Sequence, residues 1–232
     1  MASPNRVHLS ANRQPHRWVS AAEVLLGGAI VIGHNVFHVV PNEVPILFVI
    51  GWISLRLRDG GWKTVGLTQP RSWGRTIGIA LAAAVFLQLV SEYVTVPLVT
   101  HWTHRPPDLS SFKPIIGNVK AALAAFALIW TFAAFGEEMV YRGYLLTRAA
   151  DLGGRSNAAY WLGLAYVTVL FGFGHYYQGA AGVVDTAVSS MVFGAAYLLY
   201  GRNLWVPILA HGFSDTIALL LVFFNLVPEL RK

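Results

Sequence analysis

The sequence predicts an all-α fold, a polytopic membrane helical bundle of about seven transmembrane helices, on three observations. Of its 232 residues 55% are hydrophobic and 12% charged, with a mean hydropathy of +0.53. A bilayer core takes roughly 20 apolar residues per helical span, so about 130 apolar residues suffice for six or seven spans. Little is left for a soluble domain. The basic residues behind the net charge of +6 are scattered between apolar runs, which reads as membrane topology and not as nucleic-acid binding. The chain has no cysteine, which removes disulfides, thiolate metal sites and cysteine nucleophiles together.

Residues 1–17 form a basic tail with Arg6, Arg13 and Arg17, followed by one membrane-embedded domain over 18–232. The first apolar run, Trp18 to Val40, is too long for the core of a leader peptide and reads as an uncleaved span. A Pro-rich corner (Pro41, Pro45) opens a short second span near 44–57. The basic stretch from Arg56 to Arg75, with Trp62, Leu67 and Trp73, suits an interface. Further spans follow at about 75–99, 118–149, 158–175, 182–200 and 204–226. With the N-terminus inside, the segments on that side collect Arg56, Arg58, Lys63, Arg71, Arg75, Arg148, Arg155 and Arg202, and the far side Arg105, Lys113, Lys120, Arg231 and Lys232. This bias predicts an integral protein of the cytoplasmic membrane with its N-terminus in the cytoplasm. Trp52, Trp102 and Trp205, near span ends, read as interfacial anchors. Gly74 and Gly78 form Gly-x3-Gly, the spacing of a close helix contact.

A charge at the centre of an inserted helix costs about 2.5 to 3.5 kcal/mol, so intramembrane ions need a partner or a task. Phe135-Gly136-Glu137-Glu138-Met139-Val140-Tyr141-Arg142 carries three ionisable side chains within six positions. Glu138 and Arg142, at i and i+4, pair on one face. Glu137 lies about 100° round the helix and faces something else. The candidates are His175, after two glycines that admit a neighbouring helix, and His211, four residues before Asp215. A carboxylate and two imidazoles can activate water as a general base, or hold a catalytic divalent ion with Glu137, His175 and His211 as ligands. His34 and His38 share i, i+4 spacing on the first span, as a metal pair would, and read as lining a polar helix contact or a water-filled entry, since no carboxylate motif accompanies them. Glu92 and Asp185 are further carboxylates near span ends.

The ordered triplet Glu-Glu-x3-Arg, Phe-x3-His and His-x3-Asp, within residues 135–215, resembles the CPBP family (Abi family), the CAAX-processing and bacteriocin-processing intramembrane endopeptidases related to the Ras-converting enzyme. The segment from Gly61-Trp62 to Gly66-Leu67 is similar to that family's interfacial stretch. The resemblance implies peptide-bond hydrolysis in the membrane. Glu137 and His175 would activate the attacking water, His211 and Asp215 would stabilise the oxyanion, and Glu138 with Arg142 would fix Glu137. Family members often carry Asn where this chain has Asp215. A carboxylate donates to an oxyanion only when protonated, so Asp215 orients His211 or joins a metal shell as alternatives.

The chain lacks the zincin His-Glu-x2-His, so no cofactor is assumed, with a divalent metal such as zinc as the alternative. It also lacks Gly-x-Ser-x-Gly and a Walker A motif. The expected partners are the lipid bilayer and a membrane protein or a lipidated or bacteriocin-like peptide as substrate, with no nucleic acid. A proton-coupled transporter and a catalytically silent membrane adaptor are the rival readings of the same buried charges.

Overall fold

The computed structural model describes residues 16–231. The expected tail over 1–17, with Arg6 and Arg13, falls almost wholly outside them. The described residues form seven principal helices: α1 Arg17–Asn35, α2 Glu43–Arg58, α3 Trp73–Thr103, α4 Val119–Asp151, α5 Asn157–Phe173, α6 Gly179–Leu199 and α7 Trp205–Phe223. Polar N-caps start four of them. Asn42, Ser72, Asn118 and Ser156 each accept a backbone N–H of the first turn, taking up a donor that has no partner within the helix. Gly201 and Arg202 adopt positive φ to turn α6 sharply into α7.

Four of these stretches are long and apolar enough to cross a membrane: α3, α4, α7, and α6 together with the turn before it, Tyr176–Leu199. The count of seven spans therefore divides. α5 is apolar but shorter, and α2 has 16 residues, about 24 Å at 1.5 Å per residue, against a core about 30 Å thick. α1 ends at Asn35, short of the expected Val40, because the chain turns to place the His34 ring against the Val40 carbonyl at 2.9 Å. Leu81, Val85, Phe86 and Leu89 of α3 and Leu123, Phe126 and Leu128 of α4 point outward and exposed. Such a surface suits lipid and would be costly in water.

α4 is the axis of the fold. Its segment Met139–Leu146 is buried throughout and packs against Val31 of α1, Leu47 and Leu55 of α2, Leu164 and Val167 of α5, Tyr197 of α6 and Ile208 of α7 in one apolar cluster. Wide turns of the i→i+5 kind run along α4 over Ile129–Glu137 and Met139–Leu145, a geometry that recurs at functional sites. A similar wide turn, Ser91–Thr95 of α3, precedes Pro97, whose missing N–H cannot complete the regular ladder.

One end of the bundle is tied by ions, among them three arginines that the sequence placed in segments on the N-terminal side of the membrane. Arg148 is fully buried and reaches Glu23 at 2.8 Å, Asp59 at 2.7 Å and Asp151 at 3.0 Å. Arg58 adds Glu23 at 2.9 Å, and Arg155 bonds both Asp59 and Asp151. Three arginines thus meet three carboxylates drawn from α1, α2, α4 and the segments that follow α2 and α4. Partial burial works against the Arg155 charge, but its hydrogen bonds to Asp151 and Asp59 outweigh this and hold its pKa above the ordinary value. A buried charge survives only when paired and hydrogen-bonded, which is why these residues behave as core and not as loop.

Candidate active site

The site grows from the middle of α4. Glu138 and Arg142 are fully buried, and Arg142 Nη1 donates to Glu138 Oε1 at 2.8 Å, the pairing expected from i, i+4 spacing. The same oxygen takes His211 Nδ1 of α7 at 2.9 Å. Arg142 Nη2 donates to both the carbonyl and the hydroxyl of Ser190 of α6, each at 2.8 Å. Glu138 and Arg142 therefore hold α4, α6 and α7 together through charged hydrogen bonds, the strong kind. The second carboxylate oxygen, Glu138 Oε2, is buried with no hydrogen-bond partner among the described residues.

Phe171 of α5 organises the aromatic wall. Its ring lies 5.2 Å from that of His175 and 5.9 Å from that of His211, with Tyr141 edge-on at 5.0 Å. The Arg142 guanidinium stands 4.9 Å above it, a cation–π contact in a dry setting. Phe193 of α6 stacks on the His211 ring at 4.9 Å. Two glycines make this closeness feasible. A Cβ at Gly172 would lie 2.7 Å from the Val183 carbonyl of α6, and one at Gly212 would lie 2.6 Å from the Trp130 ring of α4. Gly172 lets α6 approach α5 three residues before His175, as the sequence led us to expect.

Glu137, His175 and Asp215 are half-buried, in contrast to the sealed clasp behind them. His175 Nδ1 lies 3.1 Å from the Phe171 carbonyl; donation to that oxygen turns Nε2 outward as the free nitrogen. His211 Nε2 faces Asp215 Oδ2 at 3.4 Å. Two lone pairs in that position repel, so a proton lies between the two atoms. Glu137 accepts no hydrogen bond from the described residues, and the charged groups that act on it are His211, Asp215, Glu138 and Glu43. Asp215, His211 and Glu43 act likewise on His175. The side chains of the three motifs thus share one neighbourhood, with His211 bonded to Glu138 where the sequence pointed it towards Glu137.

Sequence reasoning missed Glu43. It is buried at the start of α2, takes Asn35 Nδ2 at 3.0 Å and lies 3.4 Å from His34 Nε2. The next residue, Val44, approaches the site of a Cβ on Gly136 to 3.2 Å, which carries Glu43 towards Glu137. The signal available in the sequence was the acidic residue directly after the Asn42 cap. His34 and His38 do not share a helix face, since α1 ends between them and His38 is exposed with a positive φ. Asp185 clamps α6 to α3 by accepting from Ser91 at 2.8 Å and from Thr95, whereas Glu92 is exposed. Gly74 and Gly78 meet no neighbour among the described residues, so their spacing builds no helix contact there.

As for a metal, no three His, Asp or Glu side chains among the described residues stand together as a ligand set. His211 has Nδ1 committed to Glu138 and Nε2 facing Asp215. The buried oxygen without a partner belongs to Glu138 and to none of Glu137, His175 and His211. The residues present do not fit the alternative metal centre, and no step below passes through one.

Comparison with known proteins bears on the same segment. Residues 119–217, a little under half of the chain, match the family described as Type II CAAX prenyl endopeptidase Rce1-like. A search of the curated proteins and one of the solved structures found no match. The matched residues begin with α4 and end just beyond Asp215, so they hold all three motifs and the whole clasp. Over this motif-bearing segment the chain is similar to the CAAX prenyl endopeptidases, a family of proteases.

Proposed function

We propose that the chain is an intramembrane endopeptidase that hydrolyses a peptide bond of a membrane-associated peptide or protein. The observation that carries this reading is the division of the polar cluster. Glu138, Arg142 and His211 are sealed and mutually bonded, whereas Glu137, His175 and Asp215 stand half-buried beside them with Glu137 unbonded. A carboxylate kept free next to a held scaffold is what a general base requires.

In the reaction, Glu137 removes a proton from water and the resulting hydroxide attacks the carbonyl carbon. His175, oriented by the Phe171 carbonyl, directs that water through Nε2. The negative charge that develops on the carbonyl oxygen is met electrostatically by the His211 ring, which Glu138 and Asp215 hold between them. The C–N bond then breaks and the proton on Glu137 passes to the departing amine, so atoms and charges balance. The catalysis is of the glutamate type and uses this chain's own residues. The substrate is anchored to or embedded in the bilayer, which brings its scissile bond to the depth of the site.

The test compares protein termini by mass spectrometry in membranes holding the wild-type chain and the Glu137→Gln variant at equal abundance. Termini that depend on Glu137 support the proposal. Identical profiles in the native host would sink it and favour the transporter or adaptor reading.

A further inference from the structure

At the end of the bundle that holds the ion network, the Trp62–Val65 turn, the approach to α5 and the turn from α6 to α7 surround a cavity of about 420 Å3. Lys63, Arg155 and Arg202 line it with Thr64, Tyr160 and Asn203, and none of its lining residues is acidic. Arg155 spends Nε and Nη2 on Asp151 and Asp59. Among the described residues neither Lys63 nor Arg202 forms an ion pair, so these are the cavity's unbalanced charges.

Its walls are fixed in advance. The Arg202 guanidinium lies over the Tyr160 ring, 4.5 Å from its centroid. The Tyr197 hydroxyl donates to the Val65 carbonyl at 2.7 Å, and the Asn203 amide to the Thr68 carbonyl at 3.0 Å. Gly66, at φ +103°, is so close to Arg202 that a Cβ would lie 1.8 Å from its carbonyl oxygen. Nearby, Trp73 and Trp205 pair at 5.5 Å and Arg75 stands over Tyr200 at 5.5 Å, the aromatic and basic composition of a membrane interface. Trp161, Leu162 and Leu199, each within two residues of a lining residue, are exposed and give acyl chains an apolar path.

A preformed basic cavity at headgroup level, with apolar surface leading from it, is suited to a lipid phosphate. We infer that this cavity binds the phosphate of an anionic phospholipid headgroup. The exposed apolar neighbours favour a lipid over free phosphate as its source.

The experiment titrates the detergent-solubilised full chain with phosphatidylglycerol, phosphatidylcholine and inorganic phosphate, reading retained ligand by native mass spectrometry. Three proteins are compared: wild type, Lys63→Gln combined with Arg202→Gln, and Lys113→Gln from the opposite end of the bundle. Each basic side chain near an anionic surface is worth roughly a factor of five. The double variant should hold phosphatidylglycerol about 25-fold more weakly, and Lys113→Gln should match wild type. Should the double variant fail to fold, Lys63→Gln alone should weaken binding about fivefold. Phosphatidylcholine held as well as phosphatidylglycerol, or a double variant that binds like wild type, would overturn the site. Inorganic phosphate held more tightly than the lipid would overturn the lipid as its source.

Discussion

His211 Nδ1 donates to Glu138 Oε1 at 2.9 Å, so the carboxylate that sequence spacing assigns to Arg142 alone also joins α4 to α7. Stability and chemistry should therefore separate at adjacent positions. Glu138→Gln removes the charge opposite buried Arg142, a loss that costs about 3 kcal/mol when a buried pair is broken. It should lower the melting temperature in detergent clearly. Glu137→Gln breaks no hydrogen bond and should melt within about 1 kcal/mol of wild type, while cleavage falls by a factor of about 10² to 10⁴, the usual worth of a general base.

Asp215 supplies a second test. If it orients His211, an amide in its place keeps a polar partner at Nε2, and Asp215→Asn should retain cleavage within about tenfold, whereas Asp215→Ala should lose about 10². The comparison is made on initial rates at matched amounts of folded protein. Equal losses in the two variants would mean that the carboxylate charge itself is required.

Chelation addresses the catalytic type. Incubation with a zinc-selective chelator should leave cleavage unchanged, and elemental analysis of the purified protein should find zinc well below one ion per chain. Activity lost on chelation and restored by zinc would reject the metal-free step.

The ion network predicts a cost far from the site. Arg148 is fully buried among Glu23, Asp59 and Asp151, so Arg148→Met should destabilise by about 3 to 5 kcal/mol, measured by thermal melting. Arg155→Gln, at a half-buried position, should cost less. Because the folded-state pKa of Arg155 is raised, its contribution is fully present below the unfolded value, which itself lies far above neutral pH, and fades only above it. Its loss should therefore look the same at every pH from about 6 to 9.

Close packing at Gly172 gives a further stability test. A Cβ there would lie 2.7 Å from the Val183 carbonyl and 3.1 Å from Ala187, and backbone cannot yield as a flexible side chain does. Gly172→Ala should cost about 1 to 3 kcal/mol and, by shifting α5 near His175, should lower cleavage more than melting.

The sequence made the helices legible because lipid forces long apolar runs, and it made the three motifs legible because charges within such runs need a reason. The Glu138–Arg142 pair followed from helical spacing alone. Contacts between helices did not, since local periodicity does not carry them. Nothing near His211 in the chain says that it bonds Glu138, and Arg58, Arg148 and Arg155 look like ordinary loop charges until three carboxylates from elsewhere close on them. Glu43 stayed hidden for the same reason, because its approach to Glu137 depends on how α2 crosses α4. The early end of α1 was missed because Phe37, Val39 and Val40 continue the apolar run beyond the last helical turn.

The sealed half of the polar cluster also alters how any relative should be diagnosed. In a bilayer, lipid competes equally for apolar surface, so lateral cohesion between helices leans on packing and polar bonds. Glu138, Arg142 and His211 supply such cohesion whether or not a peptide is ever cut. A descendant that had abandoned proteolysis would still be pressed to keep these three, and would first be free to discard Glu137 and His175. Inactive members of such a lineage are therefore to be recognised by the loss of the two unsealed residues, with the clasp left standing.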